Sequence, residues 1–204
     1  MNNIQFITHE NQRFGYVEGA EMALRGGCKW VQLRMKDATD NEFLSVGRKV
    51  STLCRNYNAI FLLDDRVHLV AELGADGVHL GKNDMPISEA RCMLGSEKII
   101  GGTANTFTDV QRLATEGVNY IGCGPFRYTK TKCNLAPILG LEGYRDILKQ
   151  MKKANICLPL IAIGGIVSTD IAALITIGVS GIAVSGAILE AVNPINEMTK
   201  LIEI

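Results

Sequence analysis

The segment Gln32-Leu33-Arg34-Met35-Lys36 sets an amide and two cations at alternate positions. Alternate side chains of a β-strand share one face, so all three can point at one spot. Two cations would then meet at one site. The simpler use of Arg34 and Lys36 is as rim charges paired with Asp37 or Asp40. Asp64 and Asp65 close a later apolar run, and Gly81-Lys82-Asn83-Asp84 follows the next one. Neighbouring strands ending this way would bring carboxylates to one rim, where a hard cation could sit. Magnesium takes one or two carboxylates and completes its shell with phosphate oxygens. Asp65 has another use, as an N-cap for the amides of Arg66 or Val67.

Two further segments suit phosphate. Thr129-Lys130-Thr131-Lys132 interleaves hydroxyls with ammonium groups, a composition that can contact more than one phosphate and that also occurs in ordinary surface loops. Gly164-Gly165 and Ser185-Gly186-Ala187 lack side-chain bulk where backbone amides would approach an anion at the start of a helix. Tight turns without a ligand look the same. His9, His68 and His79 receive no catalytic role on sequence alone. Cys123, between two glycines and far in sequence from any histidine, reads as a packed thiol.

What must position these groups is a repeating β/α pattern. Short apolar runs at residues 4–8, 30–34, 60–64, 77–80, 99–103, 120–124, 160–164 and 181–185 alternate with amphipathic segments. Near-continuous apolar character suits parallel strands covered by helices outside and packed side chains inside. Gly26-Gly27, Gly74, Gly117 and Gly178 stand where helices should end before the next strand. Eight runs exceed the roughly five strands of a flavodoxin-like sheet. The expected fold is therefore α/β, a single (β/α)₈ TIM barrel over residues 1–204, with chemistry at the carboxyl ends of its strands. Residues 126–141 form a long loop of the kind that often acts as a lid.

Composition narrows the function. In 204 residues, Lys plus Arg and Asp plus Glu both total 21, so no long-range field would gather nucleic acid or an anionic membrane surface. Apolar stretches fall short of the roughly 20 residues that span a bilayer as a helix. The 6 cysteines show no C-x-x-C pair, and no cationic and apolar leader opens the chain; the expectation is reduced thiols in a cytoplasmic protein. Small phosphorylated molecules are the expected partners. Oligomeric state stays open, a homo-oligomer included.

Taken together, VQLRMKD, LLDDRVHLVAELGADGVHLGKNDMP, YIGCGPFRYTKTK, IAIGGI and GIAVSGAI resemble the thiamin phosphate synthase family, in order across most of the chain. The resemblance implies a Mg2+-assisted transferase of thiamin biosynthesis, joining hydroxymethylpyrimidine pyrophosphate to hydroxyethylthiazole phosphate. It implies that Gln32 and Thr103 meet the pyrimidine, that Arg34, Lys36 and Lys132 grip pyrophosphate, and that Asp65 and Asp84 hold the metal. Thr129, Thr131, Gly165, Ser185 and Gly186 would meet the thiazole phosphate. Asp64 stands where the family usually has asparagine and Lys82 where it has glutamine, so the two are expected on the substrate side as a compensating pair. The alternatives are the related thiazole tautomerase, which needs a histidine where this chain has Pro125, and a non-catalytic barrel that senses thiamin intermediates.

Overall fold

The computed structural model describes residues 3–128 and 137–204. Eight parallel strands close into a barrel in the order of the chain: β1 (Asn3–Ile7), β2 (Trp30–Leu33), β3 (Ile60–Asp64), β4 (Gly77–Leu80), β5 (Ile99–Ala104), β6 (Tyr120–Cys123), β7 (Leu160–Ile163) and β8 (Gly181–Val184). Helices α1 (Tyr16–Arg25), α2 (Asp40–Asn56), α3 (Val70–Leu73), α4 (Ile87–Leu94), α5 (Phe107–Glu116), α6 (Gly140–Lys153) and α7 (Ser168–Thr176) follow the first seven strands. After β8 come the one-turn helix α8 (Gly186–Leu189) and α9 (Pro194–Glu203). The expected barrel and all eight strands are present.

Strand parity divides the core in two. Phe6, Val31, Leu33, Leu63, Val78, Leu80, Ile100 and Ile121 face outward into the layer beneath the helices. Ile7, Leu62, Tyr120, Ile161 and Ala183 fill the barrel interior, with Trp30, Ile99 and Ile163 at its edges. Each fully buried side chain such as Phe6 or Leu33 contributes roughly 1.5–3 kcal/mol. Helix starts are fixed locally: Thr39 and Glu42 cap each other's amides at α2, as Thr106 and Asp109 do at α5. Gly74 and Gly117 end α3 and α5 in the left-handed conformation, which is where the sequence placed helix stops.

Five strands, β1, β2, β6, β7 and β8, end one residue before their apolar runs do, leaving Thr8, Arg34, Gly124, Gly164 and Ser185 just past the strand ends. Arg34, for example, donates its amide to Thr8 Oγ1 at 3.0 Å rather than to a strand carbonyl, and Gly164 turns to φ 101°. Among the described residues no helix is long and apolar enough to cross a membrane.

Candidate active site at the barrel mouth

Inward-facing positions near the carboxyl ends of the strands enclose a cavity of about 540 Å³. Its floor is a polar network across four strands. Tyr120 OH lies 3.3 Å from Gln5 Nε2 as acceptor and 3.0 Å from His79 Nδ1, and His79 Nε2 lies 2.9 Å from Thr103 Oγ1. Trp30 packs against the Tyr120 ring at 4.8 Å. Glycine makes room for these rings: a Cβ at Gly101 would sit 2.2 Å from Tyr120, and one at Gly122 would sit 2.8 Å from His79. Burial pushes the Tyr120 phenol far up, so it stays protonated. Beside it Gln32, 1% exposed, makes no well-formed hydrogen bond through its Nε2, although the side chain is near enough to the Tyr120 phenol to oppose the upward push of burial. Such a donor is costly unless a ligand meets it, and it lies against the cavity.

One side of the mouth is charged. Lys36 Nζ bridges Asp64 Oδ2 at 3.1 Å and Asp65 Oδ2 at 2.7 Å. Arg34 Nε lies 3.5 Å from Asp64, and Arg66 Nε lies 3.3 Å from Asp65. Burial raises the Asp64 carboxyl above the ordinary range against the pull of Lys36 and Arg34, and Asp84 raises it further. Asp65 is raised for the same first reason, with Asp64 and Asp84 adding to it while Lys36 opposes. Burial alone would lower Lys36, yet Asp64 and Asp65 outweigh it and hold the ammonium above its usual value. Asp64 Oδ2 is within ion-pair reach of both cations, but the angles give it no hydrogen bond. That buried carboxylate oxygen is held by charge attraction rather than by a well-aligned hydrogen bond.

Those observations fit a hard cation. Three carboxylates repel one another, and one buried oxygen lacks a hydrogen bond. Among the described residues no group of three or more acids, histidines or cysteines converges as a ready-made cage. A cation here would therefore complete its shell with ligand oxygens, as magnesium does.

Several expectations need correction. Asp65 caps no helix: its carboxylate takes Lys36 and Arg66, and the Val67 amide bonds the Asp65 carbonyl at 3.0 Å. Arg34 and Lys36 pair with Asp64 and Asp65, while Asp40 takes Arg66 and His68. Lys82 does not compensate Asp64; its ammonium lies 2.7 Å from Asp109 Oδ2. Asp109 gathers charge there because its position in the first turn of α5 also collects the amides of Asn105 and Thr106. Burial alone would raise its carboxyl, but Lys82 and those donors hold it below the usual range.

The opposite side of the mouth carries little charge. Gly164 and Gly165 adopt φ 101° and 68° after β7. Ser185 and Gly186 follow β8, and Ser185 donates to the Ile7 carbonyl at 2.5 Å. That direction requires His9 Nδ1, 2.6 Å from Ser185 Oγ, to carry the ring proton. Burial lowers the His9 pKa, Glu190 opposes and Arg34 assists.

Seven expected site residues, Gln32, Arg34, Asp64, Thr103, Gly165, Ser185 and Gly186, line this single cavity. Lys36 and Asp65 join it through Asp64, and Asp84 is close enough to act on both carboxyls. Its Oδ2 accepts the Gly81 amide at 2.6 Å. Thr129, Thr131 and Lys132 lie outside the described residues. Sequence reasoning missed Gln5, His9, His79 and Tyr120. The strand parity that found Gln32 would have found His79, which pairs in register with Asp64. Cys123 is buried, and burial pushes its thiol up to about 12, as expected of a packed cysteine.

Fold and site together define an enzyme class: a parallel barrel whose mouth opposes a charged side to glycine-rich turns after the last two strands, the place where many barrels of this kind bind phosphate. Residues 4–188 match the family described as thiamine monophosphate synthase, and the chain belongs to that family. Its activity is thiamine-phosphate synthesis, a transferase reaction that condenses hydroxymethylpyrimidine pyrophosphate with hydroxyethylthiazole phosphate. The thiamine-phosphate synthase of Bacteroides fragilis (strain YCH46) is 55% identical over 204 residues, 100% of each chain. The thiamine phosphate pyrophosphorylase of Pyrococcus furiosus is 32% identical, covers 98% of this chain and 94% of its own, and superposes with a TM-score of 0.88. A 3-hexulose-6-phosphate synthase, 18% identical with a TM-score of 0.71 over 98% of this chain and 97% of its own, shares the fold alone.

Proposed function

We propose that residues 1–204 act as one domain and divide the synthase reaction between the two sides of the mouth. Gln32 holds the pyrimidine by its Nε2, over the floor formed by His79, Tyr120 and Thr103. Arg34, Lys36 and Lys132 grip the pyrophosphate, with Asp64 orienting the first two. The C–O bond to pyrophosphate breaks and the leaving group takes the electron pair, leaving a pyrimidinylmethyl cation. The thiazole nitrogen then supplies its lone pair to form the new C–N bond. No protein nucleophile enters, so catalysis rests on fixed charge and on holding two substrates together.

Asp65 and Asp84 would hold Mg2+, which when bound neutralises charge on the departing pyrophosphate. Thr129, Thr131, Gly165, Ser185 and Gly186 would hold the thiazole phosphate. Lys82, engaged with Asp109, reaches the substrate only by releasing that partner. The zero net charge argues against nucleic acid as a partner, and the buried free thiols Cys28, Cys54 and Cys123 suit a cytoplasmic setting.

The observation that carries this reading is the buried Gln32 amide, without a well-formed hydrogen bond, beside the Arg34–Asp64–Lys36–Asp65 cluster. The test mixes the protein with both substrates and follows thiamin phosphate and pyrophosphate, with and without a chelator. Product that falls with chelation, returns with magnesium and is absent from Lys132→Ala is expected. Tight substrate binding without product would return the chain to the sensor reading, and unchanged turnover under chelation would overturn the metal assignment.

A further inference from the structure

Arg127 follows β6 and Asp170 lies in the first turn of α7, and their side chains meet as a two-pronged pair. Arg127 Nη1 is 2.7 Å from Asp170 Oδ2 and Nη2 is 2.8 Å from Oδ1. The same Nη1 donates to the Gly165 carbonyl at 2.9 Å, and the Arg127 amide donates to the Gly164 carbonyl at 3.0 Å. Asp170 Oδ2 also accepts the Val167 amide at 2.9 Å. The guanidinium lies 4.9 Å from the centre of the Phe126 ring. Gly165 is enclosed tightly: a Cβ there would sit 2.5 Å from Arg127 Cγ and 3.0 Å from the Tyr128 carbonyl oxygen.

A planar guanidinium with both prongs engaged is fixed in orientation as well as position. Its charge is matched by Asp170, which is 12% exposed, so Arg127 is poorly placed to serve as a phosphate ligand. What it grips is backbone: its guanidinium takes the Gly165 carbonyl and its main-chain amide the Gly164 carbonyl, the two glycines of positive φ. With those carbonyls drawn toward Arg127, the neighbouring amides are left turned the other way.

We propose that Arg127 and Asp170 form a positioning pair that sets the Gly164-Gly165 cradle and ties the loop after β6 to the loop after β7. The inference rests on the reading above that Gly165, with Ser185 and Gly186, receives the thiazole phosphate. The pair touches neither substrate. Its effect is on how well that phosphate, and with it the attacking nitrogen, is aligned.

The test is initial-rate kinetics with each substrate varied in turn, on the wild type, Arg127→Ala, Arg127→Lys, Asp170→Asn, the Arg127→Ala/Asp170→Asn double variant and Ser185→Ala. Arg127→Ala is expected to raise KM for the thiazole phosphate about tenfold while KM for the pyrimidine pyrophosphate stays within about twofold. Arg127→Lys should recover little, because an ammonium cannot supply the fork. The double variant should be no worse than Arg127→Ala alone. A merely structural pair would lower the melting temperature and leave the two KM values unchanged or shifted together, and either result overturns the proposal. Asp170→Asn, nearly isosteric, carries the same comparison should Arg127→Ala fail to fold. If Ser185→Ala raises the thiazole phosphate KM and Arg127→Ala does not, the positioning role alone fails. If Ser185→Ala also leaves it unchanged, the cradle reading fails and takes the pair's role with it.

Discussion

The two sides of the barrel mouth differ in charge. After β2 and β3, four charged side chains lie within 3.5 Å of one another in a chain of ion pairs. After β7 and β8 stand glycines and a hydroxyl already engaged with the Ile7 carbonyl and His9, and the nearby Arg127 is matched by Asp170. The contrast follows the reaction. With pyrophosphate seated as proposed, a bond breaks on the charged side and negative charge appears there, so preorganised cations would act on the transition state more than on the bound substrate. The thiazole phosphate, seated as proposed on the other side, would keep its charge throughout and need only be held, for which neutral donors would suffice. The same contrast explains why Asp64 is tolerable: a buried carboxylate spaces and orients two cations that would otherwise repel each other.

Breaking that contrast should have graded effects. Lys36→Ala removes the cation shared by Asp64 and Asp65 and should lower kcat about 10²–10³-fold. KM for the thiazole phosphate should stay nearly unchanged in the same steady-state assay. Equal damage to both sides would show that the mouth is one field rather than two.

A smaller effect sharpens the role of Asp64. Burial raises its folded-state pKa above the ordinary aspartate value, so the folded protein binds this proton more tightly than the unfolded chain. Stability must then fall as pH rises from about 4 toward the folded pKa, the window in which only the unfolded form has lost the proton. Asp64→Asn removes that loss. Denaturant titrations from about pH 4 to neutrality should show the variant gaining on the wild type as pH rises; parallel curves would mean that Arg34 and Lys36 offset the burial.

The smallest effect belongs to Lys82. Its pairing with Asp109 is part-exposed, and such pairs contribute about 0–1 kcal/mol. Lys82→Gln should change KM for the pyrimidine pyrophosphate less than about threefold. A larger rise would mean that the ammonium leaves Asp109 when substrate arrives.

The sequence displayed the barrel because each strand is a short, nearly continuous apolar run, and it displayed Gln32, Arg34 and Asp64 because strand ends in this fold carry chemistry. What stayed hidden depends on register or on distance along the chain. His79 looked like a packed strand residue until pairing set it beside Gly101 and next to Tyr120. Arg127 and Asp170 are 43 residues apart, and no local pattern joins them. Lys82 was expected to compensate Asp64 across the rim, whereas its partner Asp109 is set by how α5 begins.

Asp65 holds φ at 58°, a conformation that glycine or asparagine accepts more readily than aspartate does. A population sorted only for heat resistance would therefore drift toward those residues at this position, growing sturdier as it shed a carboxylate from the mouth.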